Sequence, residues 1–214
     1  MTNVRRTRLL ALALAGALFA PLASACGQEA GARRLDTSRP LGYFIAPGAA
    51  DSGYREGDDG LARAALEAWA ALADPPLRLA PAAEVDAVVR VYWVPAGGGL
   101  YGEMRARTVA GRPAADVFVH PDIDALGAEI AAMARTDPLF RDTVVYLTCV
   151  HELGHAFGLA HTSAFADIMY SFQYGGDIVE YFMRFRRQLA TRDDILTTSP
   201  FSAADAERIR ALYR

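Results

Sequence analysis

The stretch that decides the reading is His151-Glu152-Leu153-Gly154-His155-Ala156-Phe157-Gly158-Leu159-Ala160-His161, which uses three of the chain's four histidines. Residues four apart share one face of a helix, so His151 and His155 can point at one ion, with Glu152 beside them. A helix that continued would carry the backbone past such an ion. Gly158 can adopt a left-handed conformation, end the helix and turn the chain so that His161 approaches the same point. Three neutral imidazoles leave one position open on a zinc ion, and this spacing therefore points to a candidate catalytic metal site.

Eight residues beyond His161 stands Met169, within Asp167-Ile168-Met169-Tyr170. Residues 143–171 together resemble the metzincin metallopeptidases, in which a long zinc motif is followed by a methionine turn beneath the metal. The likeness looks closest to the matrixin branch. Thr162 follows the third histidine, the span to Ile-Met-Tyr is short, and the chain closes on a segment ending in Leu212-Tyr213.

The resemblance implies an α/β (α+β) zincin-like fold. Its parts would be a twisted mixed sheet with packed helices, a zinc cleft, and a small C-terminal subdomain ending in a helix. It implies a zinc endopeptidase with one catalytic Zn²⁺ on His151, His155 and His161 and with Glu152 as general base. Gly158 and Met169 would be structural supports, Met169 as a hydrophobic floor and not a ligand. Tyr170, Ser171 and Phe172 are candidates for the pocket that takes the side chain after the cleaved bond. Ser171 stands where some related branches carry a transition-state tyrosine, so oxyanion stabilisation would fall to the metal.

The substrate implied is a peptide or protein in extended conformation. It would lie along an edge strand, for which residues 116–120 are the candidate. The extra histidine and aspartate pattern that accompanies structural zinc and calcium in matrixins is missing from residues 97–124, and calcium is not expected. The alternative is a noncatalytic zinc-containing module that captures a peptide or an envelope protein; the intact Glu152 argues against it.

The 214 residues suffice for one substantial core. A single catalytic domain is expected over 41–214, with an N-terminal lobe to about 158 and a C-terminal lobe from about 159. Ahead of it, Arg5, Arg6 and Arg8 precede the apolar run Leu9–Leu22, and Ala23-Ser24-Ala25 offers a small-residue cleavage site, so residues 1–25 read as an export signal. Cys26 comes next and is a lipidation candidate, although Ala23 stands where a lipobox usually has Leu. The chain is expected to be exported, as a cell-envelope lipoprotein or a secreted protein. Residues 26–40 read as a flexible tether. No second apolar run is long enough to span a bilayer, so any membrane anchoring would come through an N-terminal lipid.

Two cysteines make no disulfide framework, and Cys149 reads as a small apolar filler on the helix of the histidines. Residues 1–26 carry three arginines and no acid, so the remainder holds 19 basic against 25 acidic residues, a net charge of −6. Nothing there resembles a nucleic-acid footprint. Arg184, Arg186, Arg187 and Arg192 read as a solvated helix face.

Periodicity places strands at Leu41–Ala46, residues 85–94 and Asp116–His120, and a helix at about 60–73 with a stripe of Leu61, Leu66, Trp69 and Leu72. The helix of the histidines is expected from about Asp142 to Phe157, capped near Asp142 or Thr143. Ile178–Leu189 suggests another helix with Tyr181, Phe182 and Phe185 in the core. Ser202 and Asp205 have capping-box spacing ahead of a terminal helix. His120 reads as an ordinary structural residue, and Gly97-Gly98-Gly99 as a loop without the flanking pattern of a phosphate cradle.

Overall fold

The computed structural model describes residues 34–49, 51–95 and 101–214. The expected export signal, Cys26 and the Gly97–Gly99 loop lie outside these residues. Strands β1 (Leu41–Ile45), β2 (Leu79–Pro81), β3 (Val89–Trp93), β4 (Gly102–Val109) and β5 (Arg112–Val119) form one sheet in the order β2-β1-β3-β5-β4. The first, second, third and fifth run parallel, and β4 is antiparallel to β5 at the edge. Val89, Val91 and Trp93 of β3 are buried while Arg90 and Tyr92 lie on the more open face, as period-two alternation requires.

Among the described residues five α-helices accompany the sheet: α1 (Asp58–Leu72), α2 (Ala128–Thr136), α3 (Pro138–Ala156), α4 (Ile178–Arg186) and α5 (Ala203–Tyr213). The fold is therefore mixed α/β with packed helices, an architecture compatible with a zincin. Among the described residues no helix is long and apolar enough to cross a membrane.

Helix α3 carries the histidines, and packing is what makes it rigid. Thr143, Val144, Val145, Thr148 and Val150 are β-branched and weaken its intrinsic propensity. Val144, Leu147, Val150 and Leu153 are each at most 1% exposed, and burying such a side chain contributes about 1.5–3 kcal/mol. Trp69 of α1, fully buried, donates its indole N–H to the Val150 carbonyl at 2.7 Å, tying α1 to the turn ahead of His151.

The helix starts earlier than its expected cap. Asp137 is the N-cap, accepting from the Phe140 N–H at 3.0 Å, and Pro138 occupies the first turn, where its missing N–H costs nothing. Asp142 instead accepts from Arg192 at 2.9 Å. Its neighbour Arg141 is buried in a bidentate pair with Asp58 at the start of α1.

Three further expectations change. Residues 116–120 are not an edge: Asp116–Val119 pair with β3 on one side and β4 on the other. The edge on that side of the sheet is β4, joined to β5 through Ala110 and Gly111, whose φ values of 48° and 77° give the doubly left-handed turn that suits a two-residue hairpin. The strand expected over 85–94 spans only Val89–Trp93, since residues 84–86 form a turn and Val85 is 76% exposed. The arginine cluster is not simply solvated. Arg186 pairs with Asp137, Arg187 with Glu180, and Arg192 with Asp142, while Arg184 reaches the carbonyls of Phe165 and Asp167.

The described part of the expected tether is docked. Leu35 is buried and its N–H donates to the Tyr213 hydroxyl at 3.2 Å, and Asp36 accepts from Arg112 at 2.8 Å.

Candidate metal centre

Helix α3 ends at Ala156, and the turn through Phe157, Gly158 and Leu159 brings in the third histidine. The Gly158 N–H donates to the His155 carbonyl and the Leu159 N–H to the Gly154 carbonyl, both at 2.9 Å. These are the two bonds of a Schellman cap, and Gly158 takes the required positive φ of 101°. The same turn aims the Leu159 carbonyl back at Nδ1 of His155, 2.8 Å away. An alanine at position 158 would have to hold a left-handed backbone at a cost of about 1–2 kcal/mol.

His151, His155 and His161 then converge. One ring nitrogen from each lies within 4.8 Å of the others. Nε2 of His161 is 3.0 Å from Nε2 of His151 and 3.1 Å from Nε2 of His155. Nδ1 of His151 faces the Ile168 carbonyl at 2.7 Å, as Nδ1 of His155 faces that of Leu159, so both Nδ1 atoms carry the proton. Both Nε2 atoms consequently present lone pairs towards Nε2 of His161, which can donate to only one of them. A cation among the three nitrogens resolves that repulsion, and a three-imidazole donor set matches Zn²⁺. Burial, reinforced by His155, holds the His151 imidazolium down to about 3, so the ring is in the neutral, ligating form at neutral pH.

Glu152 is 8% exposed and lies against the first residue of β4. A Cβ on Gly102 would stand 2.6 Å from its Cγ and 3.1 Å from Oε1. The carboxylate thus occupies space beside the edge strand that only a glycine leaves open. Gly154 plays a parallel part below, where a Cβ would meet the Met169 sulfur at 2.3 Å and the Trp69 ring at 3.0 Å. Met169, fully buried, therefore packs against the helix backbone between His151 and His155.

The Met169 turn is held from three sides. The Thr162 N–H donates to the Met169 carbonyl at 2.8 Å, and the Ser171 N–H returns to the Thr162 carbonyl at 3.0 Å. Asp167 accepts from the hydroxyls of Thr162 at 2.9 Å and Ser202 at 2.7 Å. Asp205, buried on α5, accepts from the Ile168 N–H at 2.7 Å while closing the expected capping box with Ser202.

Tyr170 is buried and donates to the Gly175 carbonyl at 2.7 Å, its ring 5.3 Å from that of Phe172, which is 37% exposed. Ser171 caps the short 3₁₀ turn Phe172–Tyr174. His120 stands apart from the cluster, its Nδ1 2.8 Å from the Pro95 carbonyl. Sequence reasoning gives Gly102 and Gly154 no part in the site, and reads Asp205 as a cap residue and Tyr181 as core. Only the spacing of Ser202 and Asp205 carries a signal, and it points to a cap.

The three histidines with adjacent Glu152 are consistent with a metzincin-type zinc-binding motif. No protein-family model matches the chain, and no curated protein matches it significantly.

Proposed function

We propose that this protein is a zinc-dependent endopeptidase of metzincin type, nearest the matrixin branch. One observation carries the reading: three imidazole nitrogens within 4.8 Å of one another, with Glu152 next in sequence to the first ligand and packed against the edge strand. His151, His155 and His161 would hold the ion. When bound, zinc supplies Lewis acidity, which lowers the pKa of a water and polarises a carbonyl.

Glu152 takes the proton from water as its oxygen bonds to the peptide carbon. The C–N bond breaks, and Glu152 returns the proton to the departing amine. Strand β4 is the edge that an extended peptide would extend by β-pairing, and Gly102 at its start brings that peptide beside Glu152. Tyr170, Ser171 and Phe172 would shape the side that receives the residue after the cleaved bond. The site would lie between lobes of about 41–158 and 159–214. Export, with Cys26 as the lipid attachment point, would place the enzyme in the cell envelope or outside the cell.

The test is cleavage of a diverse peptide library by purified protein with zinc, with chelator and as Glu152→Ala. Cleavage only by the zinc-loaded wild type supports the peptidase. A folded, zinc-occupied protein that binds peptides and cleaves none would overturn it in favour of the noncatalytic binding module.

A further inference from the structure

The carbonyls that orient the first two histidines are supported differently. Leu159, partner of His155, belongs to the helix-terminating turn, so its carbonyl is fixed by the cap that Gly158 makes. Ile168, partner of His151, lies on the loop between His161 and Met169 and needs an outside support. Helix α4 supplies one. Arg184 donates to the carbonyls of Phe165 and Asp167, the latter at 3.1 Å, and the Tyr181 hydroxyl donates to the Ile168 carbonyl at 2.8 Å. Three carbonyls of a four-residue stretch are thus gripped by two side chains one turn apart.

Ile168 is held at both of its polar groups. Its N–H is bound by Asp205, and its carbonyl accepts from both His151 and Tyr181. A carbonyl oxygen has two lone pairs, and both are engaged. An acceptor pulled from two directions cannot swing towards either donor. The line from Ile168 O to Nδ1 fixes the rotation of the His151 ring, and hence where Nε2 points. Tyr181 is itself fixed, 3% exposed, with the Arg184 guanidinium 4.3 Å over its ring and Phe172 at 5.2 Å.

We propose that Tyr181 is a positioning residue for the metal centre, acting on His151 through the shared Ile168 carbonyl, with Arg184 fixing the loop that carries it. This rests on the reading of the three histidines as a metal site. Tyr181 touches neither ligand ring nor ion in this role, and its contribution is to direction.

The experiment compares wild type with Tyr181→Phe, which keeps the ring and removes only the hydroxyl. Tyr101→Phe serves as control, since the Tyr101 hydroxyl donates to the Leu126 carbonyl at 3.3 Å and not to a carbonyl that faces His151 or His155. Zn²⁺ affinity is measured by competition with a chromophoric chelator, and the Co²⁺-loaded proteins are compared by visible absorption. The expected result for Tyr181→Phe is about 10-fold or greater loss of Zn²⁺ affinity and a displaced Co²⁺ band, with one ion still bound. Tyr101→Phe should match wild type. Affinity within twofold of wild type with an unshifted band, or an equal loss in Tyr101→Phe, overturns the role of Tyr181 and leaves the metal site standing. A wild-type protein that binds neither ion overturns the metal site and this inference with it.

Discussion

Gly102 and Glu152 share a space that any side chain at position 102 would close, since a Cβ there would lie 2.6 Å from Cγ of Glu152. Gly102→Ala must therefore move the carboxylate, the edge strand or both. If Glu152 is the general base proposed above, displacing it by about 1 Å costs on the order of 100-fold in rate, and kcat/KM on a cleaved peptide should fall by that order. Zinc content should be unchanged, because no ligand is touched. Steady-state kinetics with metal analysis decides it, and an unimpaired Gly102→Ala enzyme would remove the significance of this contact.

Asp205 is the buried acceptor beneath the Met169 turn, bonded to the N–H groups of Ile168 and Ser202 and paired with Arg208 at 2.7 Å. Asp205→Ala leaves those donors without their acceptor and should destabilise the protein by about 3 kcal/mol. Asp205→Asn, which keeps one carbonyl oxygen, should cost less. Urea unfolding of the three proteins gives both numbers. Equal costs would mean that the lost packing, and not the acceptor, matters.

The features legible in the chain depend on local spacing. The i, i+4 histidines, the left-handed glycine and the Ser202–Asp205 box are each settled within one or two turns, and each appears in the structure where its spacing puts it. Strand β4 is hard to read because Met104 and Ala106 are the only apolar residues that alternate with Glu103, Arg105 and Arg107, and as an edge it has no fully buried residue to strengthen the pattern. Without it the expected edge falls on β5. Asp137-Pro138 is a legible cap-and-first-turn pair, but Asp142 offers a competing cap residue closer to the histidines. The partners of Arg186 and Arg192 lie too far along the chain for local reading: Arg186 and Asp137 are 49 residues apart. Glycines such as Gly102 and Gly154 reveal their purpose only when another segment's side chain is seen against them.

Cys149 is a free, fully buried thiol in the middle of α3, and burial pushes its ionisation up. The thiolate is the reactive form, so the native protein should resist thiol reagents at this position. In a Cys26→Ser background, a chromogenic disulfide reagent should release no colour until denaturant is added, and then one equivalent. Stoichiometric reaction of the native protein would contradict the packing of Cys149 between helix and core.

Asp137 joins the cap of the site helix to α4: it accepts from Phe140 and also from Nε of Arg186 at 2.8 Å. Burial pushes its carboxyl up, but the Arg186 and Phe140 hydrogen bonds together outweigh that and leave it below its ordinary value. The unfolded chain therefore holds this proton more tightly than the folded one, and folding stability rises with pH across the gap. The stabilisation is complete above the ordinary carboxylate range and is lost as pH falls through the lowered value. Asp137→Asn keeps an oxygen for the Phe140 N–H and removes the charge together with one of the two oxygens that accept from Arg186. Wild type should exceed it in unfolding free energy at neutral pH by on the order of 1 kcal/mol, allowing for the solvent that reaches this pair. The difference should shrink as pH is taken from about 4 towards 2. Urea denaturation of both proteins across that range tests it: a gap independent of pH would assign the effect to the hydrogen-bond geometry of the cap, and no gap would show that the Arg186 pairing contributes nothing to holding the helix of the three histidines.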